Sequence, residues 1–209
     1  MARLGAPRRA ALALILTLLT LACIAVVDRP LARWLATRDT HPHAWEEAVH
    51  VLEYTIGLEP WRWLGVCVLT VGAIAALVLR RGIVPWVAVA FSHLLACNLM
   101  LWGKALSGRL RPHEWHGGPM WLQGGSSFPS GHVVLFASIV LPLVMLYPRL
   151  RWLVVVPVFA AIARVMAHAH FASDVIGGFA LCAAVAGWSV ALAKRVEQRA
   201  TARRLRPGA

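Results

Sequence analysis

Six apolar runs, each close to the length of one bilayer crossing, alternate with short polar segments along this chain. They cover residues 10–27, 63–79, 83–103, 132–147, 152–167 and 174–193. A helix needs about 20 mostly apolar residues to cross the hydrocarbon core of a bilayer. Lipid leaves no partner for an unpaired backbone group, which favours helices in such runs. The pattern therefore predicts an all-α, polytopic membrane protein with six transmembrane helices in one bundle, forming a single domain over residues 1–209.

The segment between the first two runs, residues 28–61, is longer and more polar than the other connections. Its apolar residues between Ala44 and Ile56 recur with a helical period. This indicates a membrane-surface helix between the first two spans. The basic start of the chain also resembles a signal peptide, but Asp28-Arg29-Pro30 offers no small-residue cleavage site. We therefore expect the first span to remain uncleaved.

Composition supports a membrane protein and argues against a nucleic-acid partner. Hydrophobic residues make up 59% of the chain and charged residues only 14%. A soluble domain is typically about 45–50% apolar and about 25% charged. The formal net charge is +12, but the basic residues lie in short groups between apolar runs rather than on one continuous face. The lipid bilayer is therefore the expected partner.

The distribution of positive charge predicts the orientation. An even number of spans places both termini on one side of the membrane. Of the 21 Lys and Arg residues, 13 lie in the terminal segments and in the two short turns on that same side. Cytoplasmic segments carry the excess of Lys and Arg. Both termini are therefore predicted to be cytoplasmic.

Three short polar clusters interrupt the apolar pattern, at residues 104–112, 129–132 and 164–174. In the predicted topology all three lie at span ends on the side of the membrane opposite the termini. Ionisable residues in such places are costly and usually functional. Lys104, Arg111 and Arg164 would bring three cations to one place. An anion with several charged oxygens, such as phosphate, would satisfy them.

The second cluster has two interpretations. Ser130, Gly131 and His132 directly precede an apolar helix. The N–H groups at a helix start bind anions, and glycine permits a close backbone approach. Alternatively, Ser130 only caps the helix with its hydroxyl.

The third cluster contains two histidines, and the spacing to Asp174 separates them. His170 precedes Asp174 by four residues, so the two would share a helical face, whereas His168 precedes it by six. A carboxylate beside an imidazole fixes its tautomer and stabilises its cation. We therefore interpret His170 as the reactive histidine and His168 as a structural one.

The ordered set Lys-x6-Arg-Pro at 104–112, Pro-Ser-Gly-His at 129–132 and Arg-x5-His-x3-Asp at 164–174 resembles the type 2 phosphatidic acid phosphatase superfamily. That superfamily also includes glucose-6-phosphatase and the vanadium haloperoxidases. One position departs from the pattern, because Ala163 stands where a serine usually precedes the arginine. The replacement removes one hydroxyl that could contact phosphate.

The resemblance implies a phosphohistidine mechanism that needs no metal or other cofactor. His170 would attack phosphorus with Asp174 orienting it, and His132 would protonate the leaving oxygen and then assist water. The phosphoryl oxygens would be held by Lys104, Arg111, Ser130, Gly131 and Arg164.

The leading hypothesis is a bacterial integral membrane phosphatase of the inner membrane that acts on a lipid phosphate or pyrophosphate at the periplasmic face. Candidate substrates are phosphatidic acid, phosphatidylglycerol phosphate, undecaprenyl pyrophosphate and the phosphates of lipid A. A lipid phosphotransferase with the same phosphohistidine is the alternative among enzymes, and a haloperoxidase is disfavoured because that branch is soluble. A non-catalytic, anion-binding transporter or scaffold is the alternative from another class. The set of His132, His170 and Asp174 argues against it.

Overall fold

The computed structural model describes residues 6–55, 62–79 and 82–204, and every regular element within these ranges is a helix. The helices are α1 (Ala6–Ala22), α2 (Asp28–Ala36), α3 (Pro42–Thr55), α4 (Arg62–Leu79), α5 (Ile83–Ser107), α6 (Gly131–Leu146), α7 (Val155–Met166) and α8 (Ala172–Arg204). The prediction of an all-α protein is confirmed for these residues. Several arginines of the charge count lie outside them: Arg3, Arg80, Arg81 and Arg206.

Three helical segments are long and apolar enough to cross a membrane: Pro7–Ala36, Ile83–Glu114, in which α5 ends at Ser107, and Ala172–Arg199. Two further apolar helices are shorter, Cys67–Leu79 and Gly131–Leu146. Each of these segments overlaps one of five of the six predicted runs.

The remaining run, residues 152–167, is divided in the structure. A 3₁₀ helix covers Pro148–Val154, and α7 begins only at Val155. Pro157 lies in the first turn of α7 rather than in the middle of a longer helix. A missing backbone N–H costs little there, so Pro157 stands near the start of this helix rather than inside it.

The first predicted run does not end at Val27. A π-helical turn, Cys23–Val27, joins α1 directly to α2. Asp28 therefore lies within a continuous helical segment, and it is buried. A charged residue that we assigned to a loop is thus held inside the protein.

Helix α8 is the centre of the bundle and packs against α1, α5 and α6. Val133 and Ala137 of α6 belong to the same buried cluster as Cys182 and Val185 of α8. The outward faces of α1 and α4 instead carry large exposed apolar side chains: Leu14, Leu18, Val71 and Val78. Surfaces of this kind suit lipid rather than water.

The connection from α5 to α6 folds over one end of the bundle. Its backbone pairs with itself, since Leu110 N donates to Met120 O at 2.9 Å and Ser127 N to Arg109 O at 2.9 Å. A Cβ on Gly125 would lie 2.2 Å from the carbonyl oxygen of Arg109. Only glycine fits there, and the loop is closely packed around Arg109.

A pair of glycines on α8 tests this packing. A Cβ on Gly177 would lie 2.6 Å from the ring of Phe128, which itself packs on Trp121 with ring centroids 5.6 Å apart. We expect Gly177→Ala to lower the free energy of unfolding by about 1–3 kcal/mol, because overpacking outweighs the gain in helix propensity. Gly187→Ala is the control, since its nearest neighbour would be Arg9 Cβ at 3.7 Å. Thermal unfolding in detergent should separate the two variants, and equal melting temperatures would contradict the close approach of α8 to Phe128.

Candidate active site

The three polar clusters of the sequence meet at one end of the bundle. Ser130 N, at the start of α6, donates to Asp174 O at 3.0 Å, which joins the second cluster to the third. Lys104, in the last turn of α5, donates through Nζ to Ser126 O in the connection from α5 to α6. The residues predicted to form one site therefore lie together.

His170 and Asp174 form a buried pair. His170 Nδ1 lies 3.5 Å from Asp174 Oδ2, and both side chains are almost fully enclosed. The spacing argument assumed that both residues lie on one helix, but α8 begins only at Ala172. The pairing arises instead because Asp174 Oδ2 accepts the Phe171 N–H at 2.8 Å, which folds the approach to α8 back onto the carboxylate.

Electrostatics keep the His170 ring neutral near neutral pH. Burial lowers the pKa of His170 below its usual value, and Lys104 and Arg164 lower it further, while Asp174 opposes the shift. A proton on Nδ1, facing Asp174, leaves the Nε2 lone pair available. The imidazole is therefore in the form that a nucleophile needs.

Arg109 is the residue that our interpretation of the sequence missed. It is completely buried, and its guanidinium joins two carboxylates. Nη1 lies 2.6 Å from Asp174 Oδ1 and Nη2 lies 2.6 Å from Asp28 Oδ2. A guanidinium can bridge two acceptors through its two Nη atoms, which suits arginine rather than lysine. Arg109 thus connects the start of α2 to the carboxylate that faces His170.

Neighbouring groups complete the environment of Arg109. Ser173 Oγ accepts from Arg109 Nη1 at 2.6 Å and donates to Asp28 Oδ2 at 2.5 Å. The rings of Trp121 and Phe171 lie 4.4 and 4.3 Å from the guanidinium carbon. A signal for this arrangement was present in the sequence. Asp28 adjoins an apolar run, where a charge requires a partner.

Two of the predicted phosphate ligands have a buried polar atom without a hydrogen-bond partner. Among the residues that the structure describes, Ser130 Oγ and Arg164 Nε are buried without a hydrogen-bond partner. Ser130 stands at the N-cap of α6, but its hydroxyl makes no capping hydrogen bond. Buried polar groups are normally satisfied. A bound anion would satisfy both of these, which favours the anion-site interpretation of Ser130 over the capping one.

Helix α3 lies against this site. Its Glu46 Oε1 is 3.4 Å from Arg164 Nη1, and its Glu53 Oε1 is 3.4 Å from His132 Nε2. The sequence predicted a surface helix here without assigning it any residue of the site. Two carboxylates of α3 therefore contact a predicted phosphate ligand and the predicted general acid.

His168 is held by partners other than Asp174. Its Nε2 lies 3.0 Å from Thr40 Oγ1, which donates to Met166 O at 2.9 Å. Burial, with a smaller contribution from His113, lowers the pKa of His168. These contacts tie the α7–α8 connection to the segment between α2 and α3, which supports a structural interpretation of His168.

Arg111 and Gly131 complete the predicted set. The Arg111 backbone N–H donates to Glu114 Oε2 at 2.8 Å, which holds the residue at the start of a 3₁₀ turn, Pro112–Glu114. A Cβ on Gly131 would lie 3.7 Å from Lys104 Cε. Gly131, at the start of α6, therefore lies near a predicted phosphate-binding lysine.

Residues 84–197 match the family model described as the PAP2 superfamily. The chain belongs to this family. The match includes all three polar clusters and confirms the resemblance drawn from them.

Two curated relatives are similar in sequence to part of this chain. It is 38% identical over 100 residues to a lipid A 1-phosphatase of Rhizobium johnstonii, covering 44% of this chain and 39% of that protein. It is 36% identical over 108 residues to a lipid A 1-phosphatase of Rhizobium etli, covering 48% of this chain and 43% of that protein. The matches thus span about two fifths of these relatives' length. No solved structure matches the chain significantly.

Removing Arg109 should destabilise the fold and the site together. Arg109→Met would leave Asp28 and Asp174 buried and facing each other without a cation, and breaking a buried pair in this way costs about 3–5 kcal/mol. Arg109→Lys keeps the charge but not the fork, so its loss should be smaller than that of Arg109→Met. Chemical or thermal unfolding in detergent measures both. The exposed Arg151→Met is the matched control, and an Arg109→Met variant as stable as this control would contradict the bridging role.

Proposed function

We propose that this protein is an integral membrane phosphatase that removes a phosphate or pyrophosphate group from a lipid through a metal-independent phosphohistidine. The observation that carries the proposal is the His170–Asp174 pair, with Nδ1 3.5 Å from Oδ2. It lies beside the unpartnered Ser130 Oγ and Arg164 Nε at the end of a bundle with apolar outer faces. A nucleophile, its orienting carboxylate and an anion cradle thus occur together.

The proposed reaction has two steps. In the first, His170 Nε2 attacks phosphorus, the bond to the lipid oxygen breaks, and that oxygen takes a proton from His132. In the second, water attacks the phosphohistidine, His132 takes a proton from the water, and phosphate leaves. Asp174 orients His170 and stabilises its charge in both steps.

Fixed cations supply the electrostatic stabilisation. Phosphoryl transfer depends mainly on positioning and on offsetting charge at the equatorial oxygens. Lys104, Arg111 and Arg164 take this role, and Ser130 and the Gly131 N–H add hydrogen bonds. Preorganised donors of this kind commonly supply the largest single contribution to a rate enhancement.

The substrate we favour is a phosphorylated lipid whose headgroup reaches the membrane surface, with the 1-phosphate of lipid A as the first candidate. The names of the two Rhizobium relatives support this choice. The other candidate lipids named in the sequence analysis are included in the assay described below.

The topology we propose has six spans, both termini in the cytoplasm, and the site at the periplasmic face of a bacterial inner membrane. Helix α6 extends about 24 Å, and residues 152–166, the end of the 3₁₀ helix followed by α7, extend about 24 Å. Both lengths are near the ~30 Å hydrocarbon core. The basic residues Lys194, Arg195 and Arg199 lie toward the opposite end of α8 from Asp174. In this arrangement α3 lies at the membrane surface.

Phosphate release from purified protein tests the activity. A panel of lipid A, phosphatidic acid, phosphatidylglycerol phosphate and undecaprenyl pyrophosphate should include a substrate whose hydrolysis persists in EDTA and is inhibited by vanadate.

His170→Ala should abolish turnover because it removes the nucleophile, whereas His168→Ala should reduce it only mildly. Phosphate trapped on His168, or activity that EDTA removes and magnesium restores, would contradict the mechanism. Transfer to an added acceptor instead of water would identify a phosphotransferase.

Cysteine labelling tests the topology. His116 in the loop over the site and Arg199 near the end of α8 are both exposed. In a variant with the four native cysteines replaced by serine, a membrane-impermeant maleimide added to spheroplasts should label His116→Cys and not Arg199→Cys. The reverse result would place the site on the cytoplasmic side.

A further inference from the structure

Helix α3 directs two carboxylates toward the candidate active site from one face. Glu46, Val49 and Glu53 are separated by three and four residues, which places them in a row along one side of a helix. Val49 is completely buried and Glu53 nearly so, while Glu46 is half exposed. Glu53 is therefore the deeper of the two, and its carboxylate is held inside the protein.

The buried carboxylate of Glu53 lies between two imidazoles. Its Oε1 is 3.4 Å from His132 Nε2, and its Oε2 is 3.9 Å from His50 Nδ1. A carboxylate buried beside a phosphate site repels the substrate and loses hydration, which is unfavourable unless a cationic partner offsets the loss. A protonated His132 is such a partner.

Glu53 also lies outside the part of the chain that matches the family. The match begins at residue 84, and α3 ends at Thr55. The three motifs therefore do not account for this carboxylate. Its position depends on how α3 packs against α7, which carries Arg164.

We propose that Glu53 is a positioning residue that holds His132 in its protonated form for delivery of a proton to the leaving oxygen. The inference rests on the proposed phosphatase function. An imidazolium carries two N–H groups, so His132 can face Glu53 through Nε2 and give its other proton to the leaving oxygen. When the phosphohistidine is hydrolysed, the same nitrogen takes a proton from water, and the Glu53 carboxylate again stabilises the resulting cation.

The proposal gives the nucleophile and the general acid each its own carboxylate. Asp174 faces His170, which attacks as the neutral ring, while Glu53 faces His132, which acts as the cation. Environments that favour opposite protonation states in two histidines assign the base and the acid. The two carboxylates also differ in their other partners, since Asp174 binds the cation Arg109 directly at 2.6 Å.

The dependence on the leaving group distinguishes this role from a structural one. kcat/KM reports every step up to departure of the leaving group, so it includes proton donation by His132 and excludes the later hydrolysis of the phosphohistidine. Dodecyl phosphate has a poor leaving group that needs a proton, whereas p-nitrophenyl phosphate has a good one that does not. We expect Glu53→Gln to lower kcat/KM for dodecyl phosphate by about 10–100-fold, part of the 10²–10⁴-fold that general acid catalysis supplies. The loss with p-nitrophenyl phosphate should be at least several-fold smaller.

Glu47→Gln is the matched control, because it makes the same chemical change on an exposed position of the same helix. It should leave both substrates unaffected. Glu53→Asp keeps the charge, so it should recover part of the activity lost in Glu53→Gln if charge rather than packing matters. Equal losses with the two substrates in Glu53→Gln, or a gain in activity, would overturn the inference.

A double-mutant comparison tests whether Glu53 acts through His132. In a His132→Ala background, adding Glu53→Gln should change kcat/KM for dodecyl phosphate by less than about two-fold, since residues that act as a unit are not additive. If the losses from Glu53→Gln and His132→Ala multiply in the double variant, the inference is wrong. Multiplied losses are also the result expected if Glu53→Gln only destabilises the fold. Wild-type protein that hydrolyses none of the substrates, lipids included, would instead overturn the proposed function.

Discussion

A buried guanidinium holds the functional end of this protein together. Arg109 lies 2.6 Å from both Asp28 and Asp174, and none of the three is accessible to solvent. Removing such charges from water is costly, and the cost is offset only when each finds a partner of opposite sign. Asp28 begins α2, Arg109 follows α5, and Asp174 lies in the first turn of α8. One cation therefore fixes three separate parts of the chain relative to one another.

The candidate chemistry depends on that cation. Asp174 uses Oδ1 for Arg109, and its Oδ2 accepts from Ser127 Oγ and the Phe171 N–H. The orientation of the carboxylate is thus determined before it meets His170, 3.5 Å from Oδ2. Because Asp174 has no freedom to turn, the imidazole beside it has a defined direction. Stability and reactivity are consequently supported by the same contacts.

The family match accounts for only part of the site. Residues 84–197 contain the three motifs, but Asp28, Glu46 and Glu53 precede them. These three carboxylates contact Arg109, Arg164 and His132 respectively. The first 55 residues therefore do more than anchor the protein, since they supply acidic partners to the basic groups of the matched region. Buried basic groups need acidic partners, and α2 and α3 provide them here.

The sequence by itself determined the all-helical class, most helix positions and the three polar clusters, because apolar length, caps and motif spacing are local properties. It did not reveal the Asp28–Arg109 pair, whose members are 81 residues apart. The division of residues 152–167 into a 3₁₀ and an α segment, and the packing of α3 against the site, were likewise absent from any local pattern. These features follow from long-range burial of charge and from the fit between helices. Only the tertiary structure decides which carboxylate lies beside which cation.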